Sequence, residues 1–263
     1  MNVLINGLAL MTDGIDNWRQ LPSLLHPDAA ITIHPRGVAL PAGERRRATL
    51  NTLLAADVAQ QALRDAGQDP TVPALVFGSS NGDGQTIHDL CETLAQPERW
   101  VSPTRFHNSV HNAAAGYWSI AAQAQRGATS LACSTGTFAA SLLEAATQCA
   151  VESVPVLLVV TDVPAPFPLD RYVPGQHPYG MAMVLVPYQD DRSLARLSWT
   201  LGHRPETTLS THPYWENRRR DSASARGLPL VMALAQQGER DVVLPYLNEL
   251  TLQLQLSDLS RCA

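Results

Sequence analysis

Apolar residues recur along this chain with two different periods, and the switches between them outline the fold. Val3 to Leu10 is a short, mostly apolar run that reads as a first strand, followed by a helix-like turn around Trp18 and Leu21. The stretch 28–43 carries prolines and glycines and reads as irregular. From 48 to 66 the spacing changes. Leu50, Leu53, Leu54, Val58, Ala62 and Leu63 mostly fall three or four residues apart, which places them on one helical face. Gly67 supplies a C-cap, and Pro70 beyond it keeps the helix from resuming. Pro73 to Gly78 then reads as a buried strand, Ser79 to Gly84 as a small-residue loop, and Ile87 to Leu94 as a helix.

Ala113 to Gln125 is a further, alanine-rich helix. A short apolar approach, Cys133, small residues and a helical pattern over about 135–150 describe a strand-to-helix turn. Val154 to Thr161 is an almost unbroken apolar run, the mark of a strand covered on both faces. Gly180 to Val186 is another strand, and the alternation of strands and helices predicts an α/β layered core ending near Pro187. Beyond it, Ala195 to Leu201 reads as a strand, 205–227 as a long polar loop, and Leu228 to Gln237 as a helix. Leu250 to Leu256 alternates strictly, so one face of that strand is buried. The predicted architecture is a mixed sheet flanked by helices. A core of 1–190 is joined by a reduced C-terminal portion, 191–263, that packs on the same fold and adds strands to a second layer.

Composition narrows the class. The 263 residues can bury a sizeable core as one large or two small domains. A net charge of -5 argues against nucleic-acid binding, and no apolar run reaches the roughly 18–20 residues of a membrane helix. The amino terminus lacks the basic region of a secretory signal. Cys91, Cys133, Cys149 and Cys262 lie far apart with no CxxC pair, which fits a reducing cytoplasm and neither a zinc site nor a disulfide framework.

Cys133 is the leading chemical candidate. A strand-to-helix turn can hold a sulfur at the positive end of a helix, where thiolate is favoured. The competing reading is a small, inert hydrophobe in a turn that tolerates only small side chains. His107 and His111 are four residues apart, but no third metal ligand accompanies them. A structural role, with His111 and Asn112 hydrogen-bonding backbone near the cysteine turn, is the expectation. Ser79 to Gly84 has neither the lysine of a P-loop nor the spacing of a dinucleotide fingerprint, so it reads as a tight connection. Asp162 reads as a turn or capping residue. No metal and no cofactor is expected. The basic clusters Arg45-Arg46-Arg47 and Arg218-Arg219-Arg220 are either solvated faces or docking surfaces for an acidic partner.

Two segments together resemble the β-ketoacyl synthases of the thiolase superfamily: Pro103 to Ile120, containing Asn112-Ala-Ala-Ala-Gly116, and Gly127 to Gly136, containing Ala132-Cys133-Ser-Thr-Gly136. Upstream, Asn2 to Gly7, Leu50 to Gly67 and Val76 to Gly82 keep the family's order, so the resemblance covers roughly 1–190. His107 to Ile120, Phe138 to Ala145 and Asp162 to Leu169 are similar to a truncated branch of ketoacyl synthase-like N-terminal domain proteins. That branch includes the chain-length-factor partners of aryl-polyene pigment systems.

The resemblance implies a thiolase-like α/β fold with a truncated C-terminal half. It implies a heterodimer with a complete ketosynthase, and acyl carrier protein as the second partner. It places Cys133 at the nucleophile position, though the two histidine segments that a condensing enzyme draws from its C-terminal half are missing. His177, His203 and His212 stand in other contexts. On the same resemblance, His111, Asn112, Tyr117, Trp118 and Phe138 become tunnel or interface residues, and Arg45 to Arg47 with Arg218 to Arg220 become carrier-protein docking residues. Two other functions remain open: an active ketosynthase or acyltransferase using Cys133, and a stand-alone module binding acyl chains or carrier protein.

Overall fold

The computed structural model describes residues 1–15, 17–23, 31–173, 175–203, 206–210, 212–257 and 259. Its first half runs β1 (Asn2–Thr12), α1 (Ala42–Arg45), α2 (Leu50–Ala66), β2 (Ala74–Gly78), α3 (Gly84–Ala95), α4 (Pro103–Ser109), α5 (Ala113–Ala122), β3 (Ala128–Leu131) and α6 (Thr137–Glu152). The second half runs β4 (Val156–Asp162), β5 (Tyr179–Val186), β6 (Ala195–Gly202), α7 (Pro213–Asp221), α8 (Leu228–Gln236), β7 (Arg240–Pro245) and β8 (Thr251–Ser257). The strands form one sheet in the order β3-β2-β4-β5-β1-β6-β8-β7. β3, β2 and β4 are parallel, and every other pairing is antiparallel.

Strand periodicity explains the layers. In β4, Val156, Leu158 and Val160 enter a core shared with α6 and α8, while Leu157 and Val159 enter a second core against α2 and α5. β5 divides in the same way, with Met181, Met183 and Leu185 on one face and Ala182, Val184 and Val186 on the other. Successive side chains of a strand point to opposite faces, so a strand covered by helices on both sides must be apolar throughout. β8 shows the contrasting pattern, with Leu252, Leu254 and Leu256 buried and Gln255 exposed.

α2 is the main brace of the outer core. The Thr49 hydroxyl accepts a hydrogen bond from the Thr52 backbone N–H at its start. Gly67 ends it in the left-handed region at φ 61, donating its N–H to the Arg64 carbonyl. The helix lies so close to β1 that a Cβ on Gly7 would sit 2.8 Å from the Cβ of Ala66 and overlap the carbonyl oxygen of Ala62.

Three features depart from the sequence expectation. β6, β8 and β7 continue the first sheet instead of forming a second layer. Asn2 to Ile5 of β1 pair with β6, while a register shift between Ile5 and Gly7 redirects the strand where its other edge pairs with β5. The stretch 205–227, expected as a loop, contains α7 and a 3-10 turn over Ser224–Gly227, with 205 and 211 outside the described residues. Trp215 is fully buried and anchors α7, which opens on Pro213 with the His212 side chain accepting from the Tyr214 N–H. α4 and β7 had no counterpart in the reading of the sequence.

Candidate functional site

The site lies at the C-terminal ends of the three parallel strands. The register sets Gly78 beside both Leu131 and Val160. Ser80, Cys133 and Asp162 each follow two residues later, so all three emerge at one level. β2 lies between β3 and β4, so Cys133 and Asp162 leave strands two spacings apart, roughly 10 Å.

Cys133 sits where the sequence puts it, between β3 and a 3-10 turn (Ser134–Gly136) that runs into α6. Its N–H donates to the Thr137 hydroxyl at 3.0 Å, and that hydroxyl donates to the Ser134 carbonyl at 2.7 Å. Ser134 adopts φ 48, a left-handed conformation uncommon for a residue with a side chain. Local strain of this kind persists where surrounding contacts fix the turn. A Cβ at Gly136 would come within 2.9 Å of the Tyr246 carbonyl oxygen, so the β7–β8 hairpin rests on the turn and requires glycine there. Cys133 is partly accessible, whereas Cys149, inside α6, is fully buried and its thiol is pushed up to about 12 by desolvation. Cys91 is exposed, and Cys262 lies outside the described residues.

Asp162 is the organising polar group, which fits the capping role expected from its position. It is buried, and its two oxygens accept from three serines in two segments remote in sequence. Oδ1 takes the Ser79 hydroxyl at 3.1 Å and the Ser80 N–H and hydroxyl at 2.8 and 2.9 Å. Oδ2 takes the Ser224 N–H at 3.1 Å and its hydroxyl at 2.6 Å. A buried carboxylate is tolerable only with such a set of donors, and this one pins the 79–84 loop and the 224–227 turn to the end of β4. Asp83 then caps α3, accepting from the Thr86 N–H at 2.8 Å.

The other sequence candidates divide between surface and interior. His111 is exposed, and its Nε2 donates to the Ser79 carbonyl at 2.8 Å, which fixes the proton on that nitrogen. Asn112 is exposed and makes no side-chain cap to α5. Tyr117 is buried; its hydroxyl donates to Asn108 Oδ1 at 2.9 Å, and Asn108 Nδ2 donates to the Arg47 carbonyl at 2.7 Å. Burial, then Glu44, raises the Tyr117 phenol above its ordinary value, against the opposing pull of Arg47 and Asn108. Trp118 belongs to the outer core and Phe138 to the inner one, where its ring fills the space a side chain on Gly227 would need. Tyr117 and Phe138 are both buried in the packing of this chain.

The basic clusters also separate. Arg45, Arg46 and Arg47 are exposed, with Arg47 paired to Glu44. Arg218 and Arg219 are buried, which removes them from any docking surface; only Arg220 of that trio is exposed. Arg219 is held by Glu216 through two hydrogen bonds of 2.8 and 2.7 Å, and Arg218 donates to the Tyr214 hydroxyl at 2.7 Å. Among the described residues no three His, Cys, Asp or Glu side chains come together as a metal site. No helix among them is long and apolar enough to cross a membrane.

Sequence reasoning assigned no role to the large apolar residues that stand exposed between α3 and β3. β3 ends the sheet, and its far side is unpaired among the described residues. On the segments of chain between α3 and β3, Trp100 (85% exposed), Phe106 (64%), Val110 and Ile120 stand in solvent. Their signal in the sequence was a scatter of large apolar residues at positions that match no core face.

A parallel strand end, a cysteine turn and a buried carboxylate clamp together define a thiolase-like α/β protein of ketosynthase type. Residues 16–245 match the family described as beta-ketoacyl synthase, N-terminal domain, and the chain belongs to that family. Among solved structures, one similar chain comes from the ketosynthase ApeO in complex with its chain length factor ApeC from Xenorhabdus doucetiae. It aligns over 97% of this chain and 99% of its own length, at 22% identity and a TM-score of 0.73. A second comes from AntDE:AntF, a type II polyketide synthase acyl-carrier protein in complex with its ketosynthase bound to the hexaketide. There the coverage is 97% and 99%, with 10% identity and a TM-score of 0.74. A β-ketoacyl synthase from Burkholderia phymatum STM815 aligns over 85% of this chain and 70% of its own, at 14% identity and a TM-score of 0.62. At these identities the likeness is one of fold. No curated protein sequence matches the chain.

Proposed function

We propose that the chain is a chain-length-factor-type subunit. It would pair with a complete ketosynthase in a type II fatty acid or polyketide system that builds an aryl polyene, and would shape its partner's acyl tunnel without condensing. A cytoplasmic setting goes with that role. The observations that carry the reading are the open edge of β3 and the exposed Trp100, Phe106, Val110 and Ile120 on the segments of chain between α3 and β3. Exposed large apolar side chains and an unpaired strand edge mark surfaces made to be covered. His88 pairs with Glu92 and His177 with Asp13, and the Nε2 proton of His111 is committed to the Ser79 carbonyl beside the Asp162 clamp. Without donors for an enolate and an oxyanion, a thiol alone does not support decarboxylative condensation. The near-complete overlap with a chain from the ApeO–ApeC complex supports the same assignment.

A second reading rests on Cys133 itself, which keeps a ketosynthase-type turn and remains partly accessible. It makes the chain an active condensing or acyl-transfer enzyme that borrows a histidine from its partner. Co-expression with a complete ketosynthase of a type II system tests the main reading. A stable one-to-one complex, with this chain poorly soluble alone, is expected. Two independently soluble proteins that do not associate would remove it and favour a stand-alone binding module.

A further inference from the structure

The outer core carries a groove of about 330 Å³ on the side of the molecule formed by α2 and α5. Leu63, Ala39, Pro70, Trp118, Ala121 and Ala122 make an apolar floor and walls. The volume is at the small end of the range typical of ligand pockets. Trp118 contributes a flat indole wall, and its buried N–H has no hydrogen-bond partner, so the packing here is unfinished. One rim of the groove is cationic. Arg64 lines it directly, and the Arg192 guanidinium lies over Gly67, its Cζ 2.6 Å from where a Cβ would be. Neither guanidinium belongs to an ion pair within the described structure. Of the nearby carboxylates, Asp65 is paired with Arg19, Asp69 is turned onto Thr71, and Asp190 accepts from Asn6 and Ser193.

We infer that this groove binds a small amphipathic carboxylate, with its apolar body against Leu63 and Trp118 and its carboxylate between Arg64 and Arg192. An apolar slot with two unpaired guanidiniums at one end complements such a ligand, because guanidinium groups bind carboxylates through paired, charge-assisted hydrogen bonds. The glycine at 67 serves the site as well as the helix end, since any side chain there would displace Arg192.

The test is calorimetric titration of the full chain with decanoate below its micelle concentration, beside decanol and decylamine. Saturable binding of one decanoate per chain is expected, with decanol about tenfold weaker, as loss of a charge-assisted contact predicts. Decylamine should not bind. The double variant Arg64→Gln/Arg192→Gln should weaken decanoate about tenfold and leave decanol unchanged. Ala121→Trp should fill the groove and abolish both, with circular dichroism showing that each variant keeps its melting temperature. No saturable decanoate binding would overturn the inference. So would equal affinity for decanol and decanoate, or binding of anionic phosphatidylglycerol vesicles without decanoate binding. The ketosynthase partner is not needed for this measurement, so its outcome is independent of the proposed subunit role.

Discussion

Asp162 offers the sharpest perturbation of the site. In Asp162→Ala five donor contacts lose their acceptor: the Ser79, Ser80 and Ser224 hydroxyls and the Ser80 and Ser224 backbone N–H groups. Hydroxyls can rotate toward other acceptors. The two amides cannot, and a buried donor left unsatisfied costs about 1–3 kcal/mol. Adding the cavity left by the carboxyl group, the substitution should destabilise the fold by about 3–5 kcal/mol. Asp162→Asn keeps one acceptor oxygen but turns an amide N–H₂ toward donors, so a loss of about 2 kcal/mol is expected. Urea unfolding followed by circular dichroism reads both values. The midpoint should fall while the slope is unchanged, because the surface exposed on unfolding stays the same. A loss below about 1 kcal/mol for Asp162→Ala would refute the argument, since it would mean that the 79–84 loop and the 224–227 turn do not depend on the carboxylate.

Three further outcomes are expected. Gly7→Ala forces a methyl group into the α2 backbone at Ala62 and Ala66, so it should destabilise by about 3 kcal/mol or fail to fold; a neutral effect in urea would contradict the close packing of β1 on α2. The Glu216 carboxyl is held below its ordinary value, chiefly by the hydrogen bonds from Arg219. Its stabilising contribution is therefore present at neutral pH and lost as pH falls through the lowered value, so the stability gap between wild type and Glu216→Gln should narrow in acid. A gap that does not change with pH would rule out that linkage. Reversing the charge of Arg45, Arg46 and Arg47 together should slow association of the assembled pair with acyl carrier protein at low salt, read by stopped-flow fluorescence. An unchanged on-rate would take this cluster out of the docking surface.

The parts of the fold legible in the sequence were those whose burial is periodic. Val154 to Thr161 was readable as a two-faced strand because every position from 156 to 162 is buried. Leu250 to Leu256 was readable because Leu252, Leu254 and Leu256 face the core at alternate positions. α7 was hidden because its inward face is largely charged: Trp215 is the apolar anchor, and Arg218 and Arg219 bury guanidinium groups that look like solvent residues in a string. The signals for it were present, with Pro213 at a helix start and the Glu216–Arg219 pair three residues apart. At the site, the Cys133 turn is local and could be read directly. The Asp162 clamp joins residues 83, 82 and 62 positions away, a proximity that no local pattern encodes. The exposed apolar side chains between α3 and β3 had no readable period because they face no core of this chain.

The central claim is that Cys133 belongs to the fold and not to the condensation chemistry. It is tested most directly by elongation of a carrier-bound acyl chain by the co-purified pair, in which this chain carries Cys133→Ala and the ketosynthase keeps its own cysteine. The account predicts an elongation rate equal to that of the unmodified pair. Loss of elongation in a pair that still assembles would contradict it and make Cys133 a nucleophile.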